Sequence, residues 1–486
     1  MPDSQINVEG EHLYDDFSSG IIDSLSVSDS LIPRNAVRKA VNVLFDRPRG
    51  AVTQRLGTTL VGSAAIESNK TVQGVFNHRS ATTSNHRLYG VANGTIYGLS
   101  GSTWASESGS LDSSTKCRFI TYLDRTAILN GINGIRHTDG GGSWSNIGGP
   151  LDAANWPITS AAALLNGRVF AIGNTTNPSR LYKSSIVATN AISWTSGNGF
   201  VDIFPNDGAG PLEGITSNGR VLLLFKYRGM YRYDDTSLDR IASIGTPSHE
   251  SIATDDNGIT YFFGQGVNTV GIYATTGGYP KKISRPIQRW IEAISPSFYS
   301  SINAYCDGTK VVWSVGSITL GDFTYPNCQL VYNISDQTWE TRNYAHRYLC
   351  FAQYIDSSLN ITTVGGDTTG RIQTINLGNT DNGTPIYSEC EFRPIVLGSR
   401  ARTKTLDEIF TYAQDFQGLE FYMGVDGPNF KKLGSINSRE QLFAAIANLK
   451  GHTFYPKITG VNSGPPFTFE GFNVNKYTDE GYVGQD

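Results

Sequence analysis

The chain has 486 residues and a formal net charge of −4; charged residues make up only 17%, while glycine is abundant at 53. This composition is typical of many short strands joined by tight turns, and it excludes a protein built from long helices. The charge excludes a basic surface spread over the whole chain, and the lack of any apolar run near 18 residues excludes a membrane-spanning helix.

Residues 1–70 lack the strand pattern of the later sequence, and we predict that they form an extended N-terminal arm. Residues 1–16 are polar and acidic, so we do not expect a secretory signal there. The arm contains the candidate site residues, five arginines that we expect to contact carboxylates of a neighbouring subunit: Arg34, Arg38, Arg47, Arg49 and Arg55. The alternatives are a solvated polar segment and a DNA-binding segment. The second is disfavoured because few aromatic residues are interleaved with the basic ones.

Four short motifs follow one another in this arm: Gly20-Ile21, Pro33-x-Asn35-Ala36, Ala40-x-Asn42-Val43, and Gly50-Ala51-Val52-x-x-Arg55-x-Gly57-Thr58. Their order resembles the opening of bacteriophage virion proteins that contain a β-propeller, especially tail-tube and nozzle (tail hub) proteins of short-tailed phages. The resemblance in sequence is close only in the arm. The remaining chain resembles these proteins only in its predicted architecture.

The resemblance implies a structural protein of the virion tail, made in the cytoplasm of a bacterial host. It implies a ring oligomer, a hexamer by analogy with the family, that contacts the host envelope. The implied partners are tail adaptor or portal-associated proteins, tail fibres, and genome DNA that passes through the lumen without sequence specificity.

Residues 71–383 repeat one pattern. Its clearest copy, at 214–235, has two apolar strands joined by a turn at 227–229. The run Leu222-Leu223-Leu224 does not alternate with polar residues, which indicates a strand covered on both faces. Copies recur at intervals of roughly 40 to 50 residues, as in propeller blades of four strands. We therefore predict a mainly β protein with a β-propeller of about seven blades, whose copies lie at 87–99, 125–138, 166–184, 214–235, 257–274, 308–333 and 360–374.

Four tryptophans follow polar turns at the ends of these units, and we expect them to be core residues: Trp104, Trp144, Trp194 and Trp339. Residues 139–144 resemble the Asp-box of sialidase-type propellers. That resemblance implies a structural hairpin in which Asp139 accepts backbone hydrogen bonds and Trp144 packs between blades.

Residues 384–486 are predicted to form an antiparallel β-sandwich with one short helix. Strands are indicated at 385–392, 408–413, 419–425, 454–458 and 467–473. Residues 438–449 predict the helix, because Leu442, Phe443, Ile446 and Leu449 would share one face and Asn437 or Ser438 could cap it. In nozzle proteins such a domain is the platform that seats the propeller on the tail, and the resemblance implies the same role here.

The sequence contains no pattern typical of an active site, a metal site or a phosphate-binding loop. The five cysteines are widely spaced and form no CxxC pair, and the acidic run at 255–257 is typical of a turn rather than of a calcium loop. We therefore expect no catalytic residue, no metal and no cofactor, and a protein that is not an enzyme. Two alternatives stay open: a glycan-binding or glycan-cleaving propeller, and a capsid or neck fibre component.

Overall fold

The computed structural model of the chain describes residues 6–23, 32–46, 49–83, 85–146, 149–187, 190–195, 199–356, 359–444 and 449–479. Within these residues the protein is mainly β, and most strands belong to small antiparallel sheets. The one α-helix among them, α1, spans Gln288–Glu292, and short 3-10 turns lie at His249–Ser251, Arg285–Ile287 and Pro296–Ser301. No helix of the described chain is both long and apolar enough to cross a membrane.

Five strands precede the repeated region: β1 (Ile6–Tyr14), β2 (Val37–Val41), β3 (Val43–Asp46), β4 (Arg49–Gln54) and β5 (Thr58–Leu60). Sheet 1 then contains β6 (Val72–Arg79), β7 (His86–Ala92), β8 (Thr95–Ser100) and β9 (Thr103–Ser108). Sheet 2 contains β10 (Arg118–Tyr122), β11 (Arg125–Leu129) and β12 (Arg136–Thr138). Sheet 3 contains β13 (Ala161–Leu165), β14 (Arg168–Ile172), β15 (Arg180–Lys183) and β16 (Phe200–Asp202).

Sheet 4 contains β17 (Leu212–Ser217), β18 (Leu222–Lys226), β19 (Gly229–Tyr233) and β20 (Leu238–Ala242). Sheet 5 contains β21 (Ile244–Gly245), β22 (Ile252–Thr254), β23 (Thr260–Gly266), β24 (Thr269–Thr275) and β25 (Lys281–Lys282). Sheet 6 contains β26 (Asn303–Cys306), β27 (Lys310–Leu320), β28 (Phe323–Asn333) and β29 (Trp339–Asn343). Sheet 7 contains β30 (Tyr348–Ile355), β31 (Ile361–Asp367) and β32 (Ile372–Ile375), and β5 is its fourth strand.

These sheets form a closed circle of contacts. The strands β6, β10, β13, β17, β22, β26 and β30 contact one another in that order, and β30 returns to β6. Apolar clusters fill the spaces between successive sheets; one joins Phe170 and Leu181 of sheet 3 to Leu224 and Tyr231 of sheet 4. This circle is a β-propeller arrangement, closed by a strand from the N-terminal region.

The predicted repeat is confirmed as a set of hairpins. In the copy at 214–235, Leu222 pairs with Tyr233 and Lys226 pairs with Gly229. Residues 222–225 are fully buried, as their continuous apolar run predicts. Each of the other six copies contains the hairpin between two adjacent strands of one sheet: β7–β8, β11–β12, β14–β15, β23–β24, β27–β28 and β31–β32.

Eight strands follow the circle: β33 (Ile386–Phe392), β34 (Lys404–Gln414), β35 (Leu419–Val425), β36 (Phe430–Ser435), β37 (Glu440–Ala444), β38 (Lys450–Gly451), β39 (Phe454–Asn462) and β40 (Thr468–Asp479). They form two sheets together with N-terminal strands. The five-stranded sheet has the order β2-β33-β39-β35-β36. The seven-stranded sheet has the path β3-β4-β40-β34-β37, with β1 also paired to β40 and β38 to β34. Phe421 of the first sheet packs against Phe469 and Phe472 of the second.

Two predictions about these regions are corrected. The described part of residues 1–70 is not an extended arm. The strands β1, β2 and β4 pair with C-terminal strands, β3 pairs with β4, and β5 completes sheet 7. The predicted helix at 438–449 is wrong, because Glu440–Ala444 is a strand in which Phe443 pairs with Ile409. Residues 445–448 of that prediction lie outside the described residues.

Candidate functional site

The five arginines predicted to make assembly contacts have different environments. Arg34 is exposed in the turn before β2. Arg38 lies in β2 and is half-buried, with its guanidinium carbon 5.8 Å from the centre of the Tyr455 ring. Arg47 and the side chain of Arg49 lie outside the described residues.

Arg55 is an internal residue and not the subunit contact that the sequence predicted. It is 1% exposed, and both terminal nitrogens of its guanidinium donate to Asp381, each at 2.7 Å. The same group lies 3.8 Å from the centre of the Tyr344 ring. Because its donors are used within the chain, Arg55 connects the N-terminal region to the segments that flank sheet 7.

Asn42 completes this contact, which we call the Arg55 node: Asn42, Arg55, Tyr344 and Asp381. The Oδ1 atom of Asn42 accepts hydrogen bonds from Nε of Arg55 and from the backbone N–H of Asn343, both at 2.7 Å. Its Nδ2 donates to the backbone oxygen of Tyr387 at 2.7 Å. Asn42 adopts a left-handed backbone with φ of 60°, which asparagine tolerates better than most residues. The node therefore explains why an asparagine and an arginine occupy these two motif positions.

A second buried charge cluster joins the five-stranded sheet to the β27–β28 hairpin. Lys39 pairs with Glu389 at 3.1 Å and with Glu391 at 3.5 Å, and Lys457 also pairs with Glu389. The Tyr325 hydroxyl donates to Glu389 at 3.1 Å. Burial acts to raise the pKa of Glu389, but Lys39 and Lys457 outweigh it and lower that pKa. The sequence analysis did not predict this cluster. The feature that could have indicated it is the pair of glutamates two residues apart in β33, since alternate residues of a strand lie on the same face.

A third cluster lies inside the circle of sheets, beside a cavity of about 230 Å³ lined by residues of sheets 1, 2, 5, 6 and 7. Arg118 on β10 donates from Nε to Glu250 at 2.6 Å and from Nη1 to the backbone oxygen of Ser160 at 3.0 Å. Lys116 lies 3.3 Å from the other oxygen of Glu250. Since sheets 2 and 5 are three positions apart in the circle, this ion pair crosses the central space.

Burial and charge both act on the titratable groups of this cluster. Burial tends to raise the pKa of Glu250, but Arg118 and Lys116 outweigh it and hold that pKa well below its usual range. Burial, reinforced by Arg118, lowers the pKa of His249 to about 4. Neutral His249 accepts a hydrogen bond at Nδ1 from the backbone N–H of Ile215 at 3.3 Å, and protonation would remove that acceptor.

The four tryptophans predicted to be core residues pack against other parts of the chain. Trp339 is 1% exposed, and Trp194 packs on Trp156 with ring centres 4.7 Å apart. Trp104 donates from its indole nitrogen to the backbone oxygen of Val61 at 3.0 Å. Trp144 contacts Tyr89 of sheet 1, and Asp139 accepts from the backbone N–H of Gly141 at 3.0 Å. These contacts match the hairpin that the Asp-box resemblance implies.

All five cysteines are free thiols. Among the described residues, no group of three or more histidine, cysteine, aspartate and glutamate side chains is arranged to hold a metal ion. The described charges at the Arg55 node and across the central space are used in contacts within the chain.

No model of a protein family matches the chain, and no curated protein matches it. Several solved structures are similar to it. YCF48 bound to D1 peptide is 13% identical, with a TM-score of 0.39 over 66% of this chain and 100% of that one. BamB from Moraxella catarrhalis is 12% identical, with a TM-score of 0.36 over 63% of this chain and 83% of that one. The N-terminal domain of Nup159 is 8% identical, with a TM-score of 0.39 over 66% of this chain and 95% of that one. These scores are low, so the description of the fold rests on the chain's own sheets.

Proposed function

We propose that this protein is a structural component of a bacteriophage tail, a nozzle or hub ring that conducts DNA and contacts the host envelope. In this proposal sheets 1 to 7 are the blades of a seven-bladed propeller. The five-stranded and seven-stranded sheets form the sandwich that serves as its platform. The role is mechanical rather than catalytic, the place is the virion tail, and the partners are further copies, adaptor or portal-associated proteins and tail fibres.

The Arg55 node is the observation that carries the proposal. Asn42 belongs to the third of the four phage-like motifs and Arg55 to the fourth. Arg55 donates hydrogen bonds to Asn42 and to Asp381, which lies in the region that follows sheet 7. A third position of these motifs, Gly57, lies where an added Cβ would overlap the backbone oxygen of Thr380. Three of the residues that carry the resemblance, Asn42, Arg55 and Gly57, thus have structural roles in this architecture, which supports a shared fold with the proteins they resemble.

The central ion pair limits where DNA can pass. Arg118 and Glu250 meet across the space inside the propeller, so duplex DNA has no path there. We therefore place the DNA path in the lumen of a ring, between subunits. A slightly acidic chain suits that lumen, because each phosphate neutralised by a basic group would add salt-dependent affinity and slow passage.

The proposal is tested by the assembly state of the purified full-length chain. Mass photometry and negative-stain images, with and without an adaptor protein from the same particle, should show rings of several copies, six by analogy. A monomer at micromolar concentration in both conditions would contradict it.

A further inference from the structure

A cavity of about 610 Å³ lies beside the C-terminal end of β1. Its charged lining groups are Arg34, Arg393, Asp15 and Asp16, and Tyr14 and His12 also face it. The cavity is separate from the central space of the propeller, because its walls are β1, the turn before β2 and the segment that follows β33. One of the predicted assembly arginines, Arg34, contributes to this cavity.

Neither guanidinium of this cavity pairs with a carboxylate of the described chain. Arg393 is half-buried, and its Nε atom is shielded from solvent without a hydrogen-bond partner. By contrast, the half-buried residues Arg87, Arg118 and Arg168 each pair with a carboxylate. The Nε atoms of Arg87 and Arg168 are also shielded without a hydrogen bond, so what distinguishes Arg393 is that it has no ion pair within the described chain. A half-buried guanidinium without an ion pair is open to an anionic partner.

The two arginines line the same cavity as Tyr14. Burial raises the pKa of Tyr14, while the positive charges of Arg393 and Arg34 act to lower it. The Tyr14 ring is held in place by stacking on Phe472, with ring centres 4.9 Å apart. A ligand in the cavity would therefore meet two guanidiniums and a fixed hydroxyl donor.

The balance of charge favours a single carboxylate over a polyanion. Asp15 and Asp16 offset the formal charge of the two arginines, so a ligand with one negative charge is repelled less than a phosphate backbone with several. The chain itself has more acidic residues than basic ones, 43 against 39, so a second copy offers carboxylates. Among the described strands β1 pairs only with β40, so within the described residues it is an edge strand of its sheet.

We propose that this cavity binds a carboxylate side chain from a second copy of the chain, held by the guanidiniums of Arg34 and Arg393. This inference rests on the proposed ring, because it names one contact between adjacent subunits. Guanidinium–carboxylate pairs are directional and can be bidentate, which would fix the angle between neighbours.

The first test measures carboxylate binding with glutarate as the probe. The thermal unfolding midpoint of the full chain should rise by about 2–4 °C in glutarate relative to chloride of equal ionic strength. Arg34→Gln and Arg393→Gln should lose the rise, whereas Arg220→Gln, at an exposed turn position, should keep it. Inorganic phosphate should give a smaller rise. An equal response in all variants, or none in the parent, would overturn the inference.

The second test measures self-association of the same variants by sedimentation. Arg34→Gln and Arg393→Gln should weaken it at least tenfold, while Arg220→Gln should leave it unchanged. Asp29→Asn asks whether the carboxylate comes from residues 24–31 of the same molecule, which lie outside the described residues. A glutarate response that appears in monomeric Asp29→Asn but not in the monomeric parent would overturn assignment to a second copy. Rings that form equally in all variants would overturn this contact but leave the proposed function standing. A glutarate response without any ring would contradict the proposed function and assign the carboxylate to a different protein.

Discussion

Arg55 illustrates at the scale of one residue what a sequence motif leaves undecided. An arginine among several others in a polar segment looks available to a partner, yet this one is buried against Asp381, a residue 326 positions away. An internal arginine is distinguished from a surface one by the buried carboxylate with which it forms an ion pair, and the local sequence does not identify that carboxylate. Arg34, which lies in the same segment, is exposed.

We predict that Arg55→Ala destabilises the fold strongly, because it leaves the Asp381 carboxylate with no cation beside it. Removing one partner of a buried ion pair costs about 3–5 kcal/mol, measured as the free energy of unfolding in urea. The matched control is Arg180→Ala, whose bidentate pair with Asp202 lies at the surface, so its loss should change the free energy of unfolding much less. Similar losses in the two variants would contradict the structural role of Arg55.

At the scale of an element, β5 decides whether the circle of sheets closes. It is a strand of three residues from the N-terminal region, and it pairs with β32 through Thr59↔Thr374. Gly57 immediately precedes it and passes close to the backbone of Thr380. Such a short strand depends on that close approach, since it has few hydrogen bonds of its own.

We predict that Gly57→Ala lowers the free energy of unfolding by about 1–3 kcal/mol, because the new methyl group must displace backbone atoms. Gly57 does not have a positive φ, so the cost comes from crowding alone. Gly134→Ala is the control: open space surrounds Gly134, and the change should be neutral or slightly stabilising. A neutral Gly57→Ala would show that the closure tolerates movement.

The strand β37 shows how tertiary pairing overrides local preference. Residues 438–449 contain good helix formers, and a helical spacing can be drawn through Leu442 and Phe443. In the sheet Leu442 is 41% exposed and Phe443 8% exposed, which is the alternation of a strand. Pairing with β34 supplies hydrogen bonds and an apolar surface that a local pattern does not contain.

At the scale of the whole molecule, the central ion pair links sheets that are distant in sequence. Arg118 and Glu250 are separated by 132 positions and meet only because the circle closes. His249 lies beside them with its pKa lowered to about 4. Stability of the entire arrangement therefore depends on pH through this cluster.

We predict that the free energy of unfolding falls as the pH decreases from about 6.5 to about 4. Between these pH values the imidazole of His249 is protonated in the unfolded chain but not in the folded chain, so acid favours unfolding. The resulting loss in the free energy of unfolding is at most about 3 kcal/mol. The contribution of Glu250 is present above its ordinary pKa of 4.5 and is lost at lower pH. Urea unfolding from about pH 6.5 to about pH 4 measures the effect of His249, and its extension to lower pH measures the loss of the Glu250 contribution.

His249→Asn separates the two groups, since its amide oxygen can replace the Nδ1 acceptor without titrating. The variant should have a flatter dependence between pH 4 and 6.5. His78, whose pKa burial also lowers, is present in both proteins, so the difference isolates His249. Identical pH profiles would contradict the assignment.

The sequence by itself determined the class of structure and the repeating hairpins, because turn residues and continuous apolar runs act within about ten positions of each other. Of the four tryptophans predicted to be core residues, Trp339 is buried, while Trp104, Trp144 and Trp194 are half-buried and pack against neighbouring residues. Only the tertiary structure decided that the N-terminal strands belong to the C-terminal sheets, that Arg55 is internal, and that Arg34 and Arg393 face one cavity. Those outcomes depend on backbone pairing and charge contacts between residues hundreds of positions apart, which no local pattern encodes.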